Sequence, residues 1–187
     1  MRTIEELVSD VAKGDQTAFR DLVHRFQKKL YAVAYKIVGN HLDADEVVQE
    51  TFVRIYKRRE DLANVTYFST FLTRVATNYS IDLLRKRKYL QRMGDDSDTL
   101  TGETQLFLAR KVETPEKKFE NKAILNSVNK AVKQLPEKQR LTLILHDIEG
   151  YSKDEIADIF ECPQATVRSN LHIARSKLRK ILREKER

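Results

Sequence analysis

The sequence predicts an all-α chain: two small helical domains joined by a flexible linker, the C-terminal one a helix-turn-helix. Three observations carry that reading. Among 187 residues there are 5 glycines and 3 prolines, and no stretch alternates apolar with polar residues as strands do. Apolar residues instead recur at steps of three and four, the spacing that puts them on one face of a helix. Charge divides the chain into three. Residues 1–90 carry 16 Lys/Arg against 12 Asp/Glu, residues 91–118 carry 5 against 6, and residues 119–187 carry 14 against 10. Domains at 1–90 and 119–187, with a linker at 91–118, follow from that pattern.

In the first block, Ala18, Leu22, Phe26, Leu30, Val33 and Ile37 mark an amphipathic helix that Gly39-Asn40 stops. Asp43 has the position of the next N-cap, with Glu46 three residues on as in a capping box. The helix that follows buries Val47, Val48, Thr51, Phe52 and Ile55 and turns Asp45, Glu46, Gln49, Glu50 and Arg54 outward. A third helix is expected from about Ser69 to Leu90. Phe71, Leu72, Val75, Ala76, Tyr79 and Leu83 form its apolar stripe, and Arg74, Thr77, Asn78, Asp82 and Arg85 project elsewhere. Four cations, Arg85, Lys86, Arg87 and Lys88, close it. Cations at a helix C-terminus complement the dipole, but four in a row exceed that need, which leaves contacts to a phosphate backbone or a solvated tail. Just upstream lies the loop "DLANVTYFSTF", where Asn64, Tyr67 and Phe68 combine hydrogen-bonding groups with aromatic rings. An unstacked base needs both. The competing reading puts the rings in the core beneath the loop, and Phe71 is assigned there.

In the linker only "LFLARKV" could form a helical turn. The last block opens with an amphipathic helix from Ala123 to Gln134, followed by one with Pro136 in its first turn and Gly150 at its end. "SKDEIADIF" then gives a short helix capped by Ser152 paired with Glu155. After the turn Glu161-Cys162-Pro163 a longer helix repeats Val167, Leu171, Ala174, Leu178 and Ile181 on one face. Gln164, Thr166, Arg168, Ser169, His172, Arg175 and Arg179 are left for the other faces. Short helix, tight turn and long basic helix is helix-turn-helix geometry, with base edges in reach of the early turns.

A formal net charge of +7 favours a polyanionic partner. The single cysteine, Cys162, excludes an intramolecular disulfide framework and any paired-cysteine metal site. His24, His41, His146 and His172 are scattered, and His24 is expected to pack at a helix face. Neither a metal nor a cofactor is expected. No window approaches 18 apolar residues, so a cytoplasmic protein is expected. Motifs of enzymes (HExxH, paired metal-binding residues, a Gly-rich phosphate loop) do not appear. A stand-alone helix-turn-helix regulator remains open at this level, but it leaves the first 90 residues unexplained.

Three stretches in order carry a family resemblance. "DADEVVQETFVRIYK", "FSTFLTRVATNYSIDLLRKRK" and "LPEKQRLTLILHDIEGYSKDEIADIFECPQATVRSNLHIARSKLRK" resemble, in turn, the polymerase-binding helix, the promoter-melting and minus-10 helix, and the minus-35 module of bacterial sigma factors of the extracytoplasmic-function group. The resemblance runs from about Ala18 to Leu182. It implies a non-catalytic protein that binds core RNA polymerase through Asp45, Glu46, Gln49 and Glu50. Promoter DNA would be held by Asn64, Tyr67, Phe68, Arg74, Asn78 and Arg85–Lys88, and further upstream by the outward residues of the final helix. It implies an anti-sigma partner, which could hold the protein at the membrane. The acidic stretch Asp95-Asp96-Ser97-Asp98 would follow the path of nascent RNA or serve as a plain tether. Four positions depart from the family pattern: Phe71 replaces Trp, Glu161 replaces Gly, and Asn170 and Ile173 replace Arg.

Overall fold

The computed structural model describes residues 2–92 and 127–185, which fall into two units, one on each side of the segment between them. All regular structure among them is helical. Apart from residues 91 and 92, the expected linker lies outside the described residues, and so do "LFLARKV" and the acidic stretch Asp95–Asp98.

Unit 1 holds α1 (Ile4–Ala12), α2 (Gln16–Val38), α3 (His41–Lys57), a short 3-10 segment (Arg59–Asn64) and α4 (Phe68–Arg92). α1 is not in the sequence reading. Its signal is a Thr3–Glu6 capping box, in which Glu6 N–H donates to Thr3 Oγ1 at 3.1 Å and Thr3 N–H donates to Glu6 at 2.8 Å. Leu7, Val8 and Val11 bury its inner face, and α1 packs on α2 and the 3-10 segment. Arg2 adds ion pairs to Asp10, Asp15 and Asp21. α2 is the central element, in contact with α1, α3 and α4. Its expected face is buried, and Gly39 stops it in the left-handed region at φ 85°.

Two expectations for this unit need correction. The N-cap of α3 is Asn40, not Asp43. Asp43 N–H donates to Asn40 Oδ1 at 2.9 Å, and Asp43 is the third helical residue, 4% exposed. A side chain can cap only from a residue with non-helical backbone, which Asn40 has at φ −144° and ψ 160°. In α4 the buried stripe is Phe68, Thr70, Leu72, Thr73, Ala76, Thr77 and Ser80, turned from the expected one. Phe71 is half-buried and Thr77 fully buried. Periodicity weights apolar residues, but here small hydroxyl side chains are what a close helix contact accepts. Thr73 and Ser80 donate their hydroxyls to Ser69 O at 2.9 Å and Ala76 O at 2.8 Å, so burial leaves those groups paired.

Unit 2 holds a helix over 127–133 (α5), α6 (Glu137–Leu143) running into a wider π turn (Ile144–Ile148), α7 (Lys153–Phe160) and α8 (Gln164–Lys185). The remainder of the helix expected from Ala123 lies outside the described residues. Val132, Leu135, Leu143, Ile144 and Ala174 make one core, with Val128, Ile148 and Leu178 packed on it. The Val, Leu and Ile side chains among them contribute about 1.5–3 kcal/mol each when fully buried. The Ser152–Glu155 capping box forms as expected. No helix among the described residues is long and apolar enough to cross a membrane.

Between α7 and α8, Glu161 adopts φ 49° and ψ 49°, the non-glycine residue with positive φ among those described. The left-handed backbone costs a side-chain-bearing residue about 1–2 kcal/mol, and glycine's extra freedom when unfolded returns about 0.5–1 of it. Glu161→Gly should therefore stabilise unit 2 by about 0.5–1 kcal/mol, read as a higher denaturant midpoint at unchanged slope.

Candidate polymerase and nucleic-acid interfaces

On α3, Asp45, Glu46 and Gln49 are exposed and Glu50 is half-buried. Two of the four carboxamide and carboxylate groups are already engaged. Tyr79 of α4 donates its hydroxyl to Glu46 at 2.6 Å, and Arg54 donates to Glu50 at 2.8 Å. The Arg54 guanidinium lies 4.6 Å above the Tyr79 ring, so the four side chains form one surface network. The hydrogen bond to Glu46 is the main reason the Tyr79 hydroxyl is pushed up to about 12; burial and the neighbouring carboxylates add to it.

On α4, Phe71, Arg74, Asn78, Asp82 and Arg85 are spaced by three and four residues and share the face opposite the buried stripe. Tyr67, immediately before the helix, is 71% exposed, and Arg74 sits 5.3 Å over the Phe71 ring. Asn64, at the end of the 3-10 segment, is exposed. Phe68 is different. It opens α4 at 5% exposure with its ring 5.3 Å from that of Phe26, and so packs in the core and not in the loop. Stacking on a base yields about 1–3 kcal/mol. Withdrawing a buried Phe costs about as much, so Phe68 gains nothing by leaving.

The cationic end of α4 divides as well. Arg85, Lys86 and Lys88 are exposed, while Arg87 turns back to the buried Asp43, with contacts of 2.6 and 2.7 Å. Asp43 is a structural residue that sequence reading assigned to another role. Its legible signal is the Asn40 three residues earlier.

On α8, Val167, Leu171 and Ala174 are buried, and Arg168, His172, Arg175 and Arg179 follow one another up a single outer stripe. Thr166 and Ser169 are exposed beside it. Gln164 donates its amide to Asp154 of α7 and accepts from Arg168, a chain that fixes the early turns of the helix against its neighbour. Arg175 is bound within the unit. Its Nε and Nη2 donate to the two carboxylate oxygens of Asp147, at 3.0 and 2.5 Å, and His146 lies 2.7 Å from the same carboxylate. Burial by itself would push the Asp147 carboxyl up; the bonds from Arg175 and His146, with their charges, outweigh it and hold the group below the usual range. Asp147 and Asp154 are the functional-face residues the sequence reading missed, since their partners lie 28 and 10 positions away.

His24 is exposed on α2, and no group of three or more His, Cys, Asp or Glu among the described residues could hold a metal ion.

Residues 22–89 match the family model for sigma-70 region 2, and residues 125–178 match that for sigma-70 region 4. The chain is 34% identical over 184 residues to the ECF RNA polymerase sigma factor SigW of Bacillus subtilis strain 168, covering 97% of each. The chain belongs to the ECF group of RNA polymerase sigma factors. This sigma factor is also 32% identical to the ECF sigma-E factor of Escherichia coli K12, over 92% of this chain and 91% of that protein. Among solved structures it resembles CnrH in complex with the cytosolic domain of CnrY, with TM-score 0.66, 25% identity, and 96% and 97% of the two chains covered. The fold is shared with the sigma factor RpoE from Bartonella quintana, solved with the anti-sigma factor NepR, at TM-score 0.67 and 21% identity over 88% and 96% of the chains. As a sigma factor the protein directs RNA polymerase to promoters and is not an enzyme.

Because the folded Tyr79 hydroxyl holds its proton more tightly than in the unfolded chain, its bond to Glu46 should be fully present below pH 10 and lost as the pH rises through about 12. The stability difference between the wild type and Tyr79→Phe, followed by denaturant titration, should accordingly vanish over that interval.

Proposed function

We propose that the two units divide promoter recognition, with residues 1–90 binding core polymerase and opening minus-10 DNA, residues 119–187 holding the minus-35 element, and 91–118 linking them. The observation that carries this reading is the aromatic and cationic stripe on α4. Tyr67, Phe71, Arg74, Asn78 and Arg85 line one face, and the helical part of it spans about 21 Å, the rise of about six base-pair steps. Tyr67 is the ring available to stack on an extruded base, because Phe68 is committed to the core. Unstacking costs a few kcal/mol, and stacking at about 1–3 kcal/mol per base largely offsets it. Asn64 and Asn78 supply hydrogen bonds to such a base, and Arg74, Arg85, Lys86 and Lys88 attract the strand. Arg87 serves the fold first, through Asp43.

Polymerase docking falls to the outer face of α3, at Asp45, Glu46, Gln49 and Glu50. On α8 the early residues Gln164, Thr166, Arg168 and Ser169 read base edges, with His172 beside them and Arg179 on a phosphate. An anti-sigma protein is the proposed inhibitory partner, supported by the likeness to CnrH, which was solved with the cytosolic domain of CnrY. Action on polymerase puts the protein in the cytoplasm, or at the membrane when a membrane-bound anti-sigma protein holds it.

Run-off transcription with core enzyme, followed by start-site mapping, tests the whole reading. Two variants separate its parts. Gln49→Ala with Glu50→Lys should weaken core binding by about 1–3 kcal/mol at unchanged helicity; equal affinity in a titration would remove α3 from the interface. Tyr67→Ala should leave core affinity unchanged and slow strand opening by roughly 10- to 100-fold, the loss of about 1–3 kcal/mol of stacking. Unaltered opening kinetics would return Tyr67 to the status of an ordinary surface residue.

A further inference from the structure

The outer stripe of α8 runs Arg168, His172, Arg175, Arg179, at steps of four, three and four residues. On spacing alone Arg175 is the best placed cation of the set, in the middle of the helix. The structure spends it elsewhere. Arg175 Nε and Nη2 both donate to Asp147, at 3.0 and 2.5 Å, in a fork that matches a carboxylate. A phosphate is recognised by the same kind of fork. Asp147 sits in the π turn that joins α6 to the helix-turn-helix, with half-buried His146 on the same carboxylate.

We propose that Asp147 is a positioning residue that withdraws Arg175 from DNA, clamping the recognition helix to the π turn and leaving the stripe to engage phosphates at its ends and not its centre. Three features support this. The pair joins residues 28 positions apart, so it fixes α8 against the segment before it. The fork edge of the guanidinium is already filled. The pair is formally neutral, so it displaces no counterion when DNA arrives, whereas a free cation placed on a phosphate does. A central cation free to seize any backbone would raise affinity for all sequences equally and dilute the base readout of the early turns.

The inference rests on the proposed reading of α8 as the DNA-facing helix, and salt dependence tests both separately. Each phosphate contact contributes about −0.9 to the slope of log K against log salt. Holoenzyme carrying each variant is titrated on promoter duplexes, with the minus-35 element intact or scrambled, from 50 to 200 mM salt. Arg175→Gln should leave the slope at the wild-type value; a slope shallower by about 0.9 would mean that Arg175 holds a phosphate after all and would overturn the proposal. Asp147→Asn should steepen the slope by about 0.9, so that affinity falls roughly 3- to 4-fold further across that range, and should narrow the gap between intact and scrambled elements. The double variant should restore the wild-type slope. If it stays steep, Asp147 acts by repelling DNA and not through Arg175, and the proposal fails. Arg179→Gln is the control for the underlying reading. It should flatten the slope by about 0.9, and an unchanged slope would show that α8 does not meet the DNA at all. Should Asp147→Asn not fold, which its thermal transition reports, the Arg175→Gln slope still decides.

Discussion

The carboxylate of Asp43 is the point on which unit 1 turns. It lies at 4% exposure where α2 hands over to α3, accepts the Asn40 amide at 2.8 Å, and meets Arg87 from the far end of α4 at 2.6 Å. A buried charge is tolerable only when its lone pairs are filled, and these partners fill them. The same contacts fix geometry: one side chain registers the cap of α3 with the last turns of α4. Because the proposed polymerase face lies on the first helix and the proposed DNA face on the second, the tie sets how the two faces are presented together. A pair of this kind is worth more for the arrangement it specifies than for net stability, since desolvation consumes much of the attraction.

The hydroxyl stripe of α4 answers a different constraint. A helix that must show aromatic and cationic residues on one side has to pack its other side against both α2 and α3. Thr70, Thr73, Thr77, Ala76 and Ser80 are small enough to allow close approach, while Phe68 and Leu72 supply the apolar anchor. Phe68 and Tyr67 thereby take opposite roles one residue apart. The buried ring anchors the start of the helix, and the ring beside it stays exposed, as its proposed stacking role requires.

In unit 2, carboxylates do the comparable work on α8. Asp154 organises Gln164 and through it Arg168, and Asp147 holds Arg175. The basic stripe proposed to face DNA therefore has part of its charge already assigned within the unit. Affinity for phosphate is easily come by in a chain of net charge +7; discrimination among sequences is harder.

The all-helical class, the stops at Gly39 and Gly150, the Ser152–Glu155 box, the departure from glycine at Glu161 and the family itself were legible in the sequence. Each depends on local spacing or on a motif a few residues long. The Thr3–Glu6 box was equally local and was passed over. The tertiary structure decided which members of each candidate set are already engaged within the fold: Phe68 with Phe26, Arg87 with Asp43, Arg175 with Asp147, Glu46 with Tyr79. The partners in these contacts lie 42, 44, 28 and 33 positions apart. No periodicity carries such information, because a helix face says where a side chain can point and only the packing of one helix on another says what it meets.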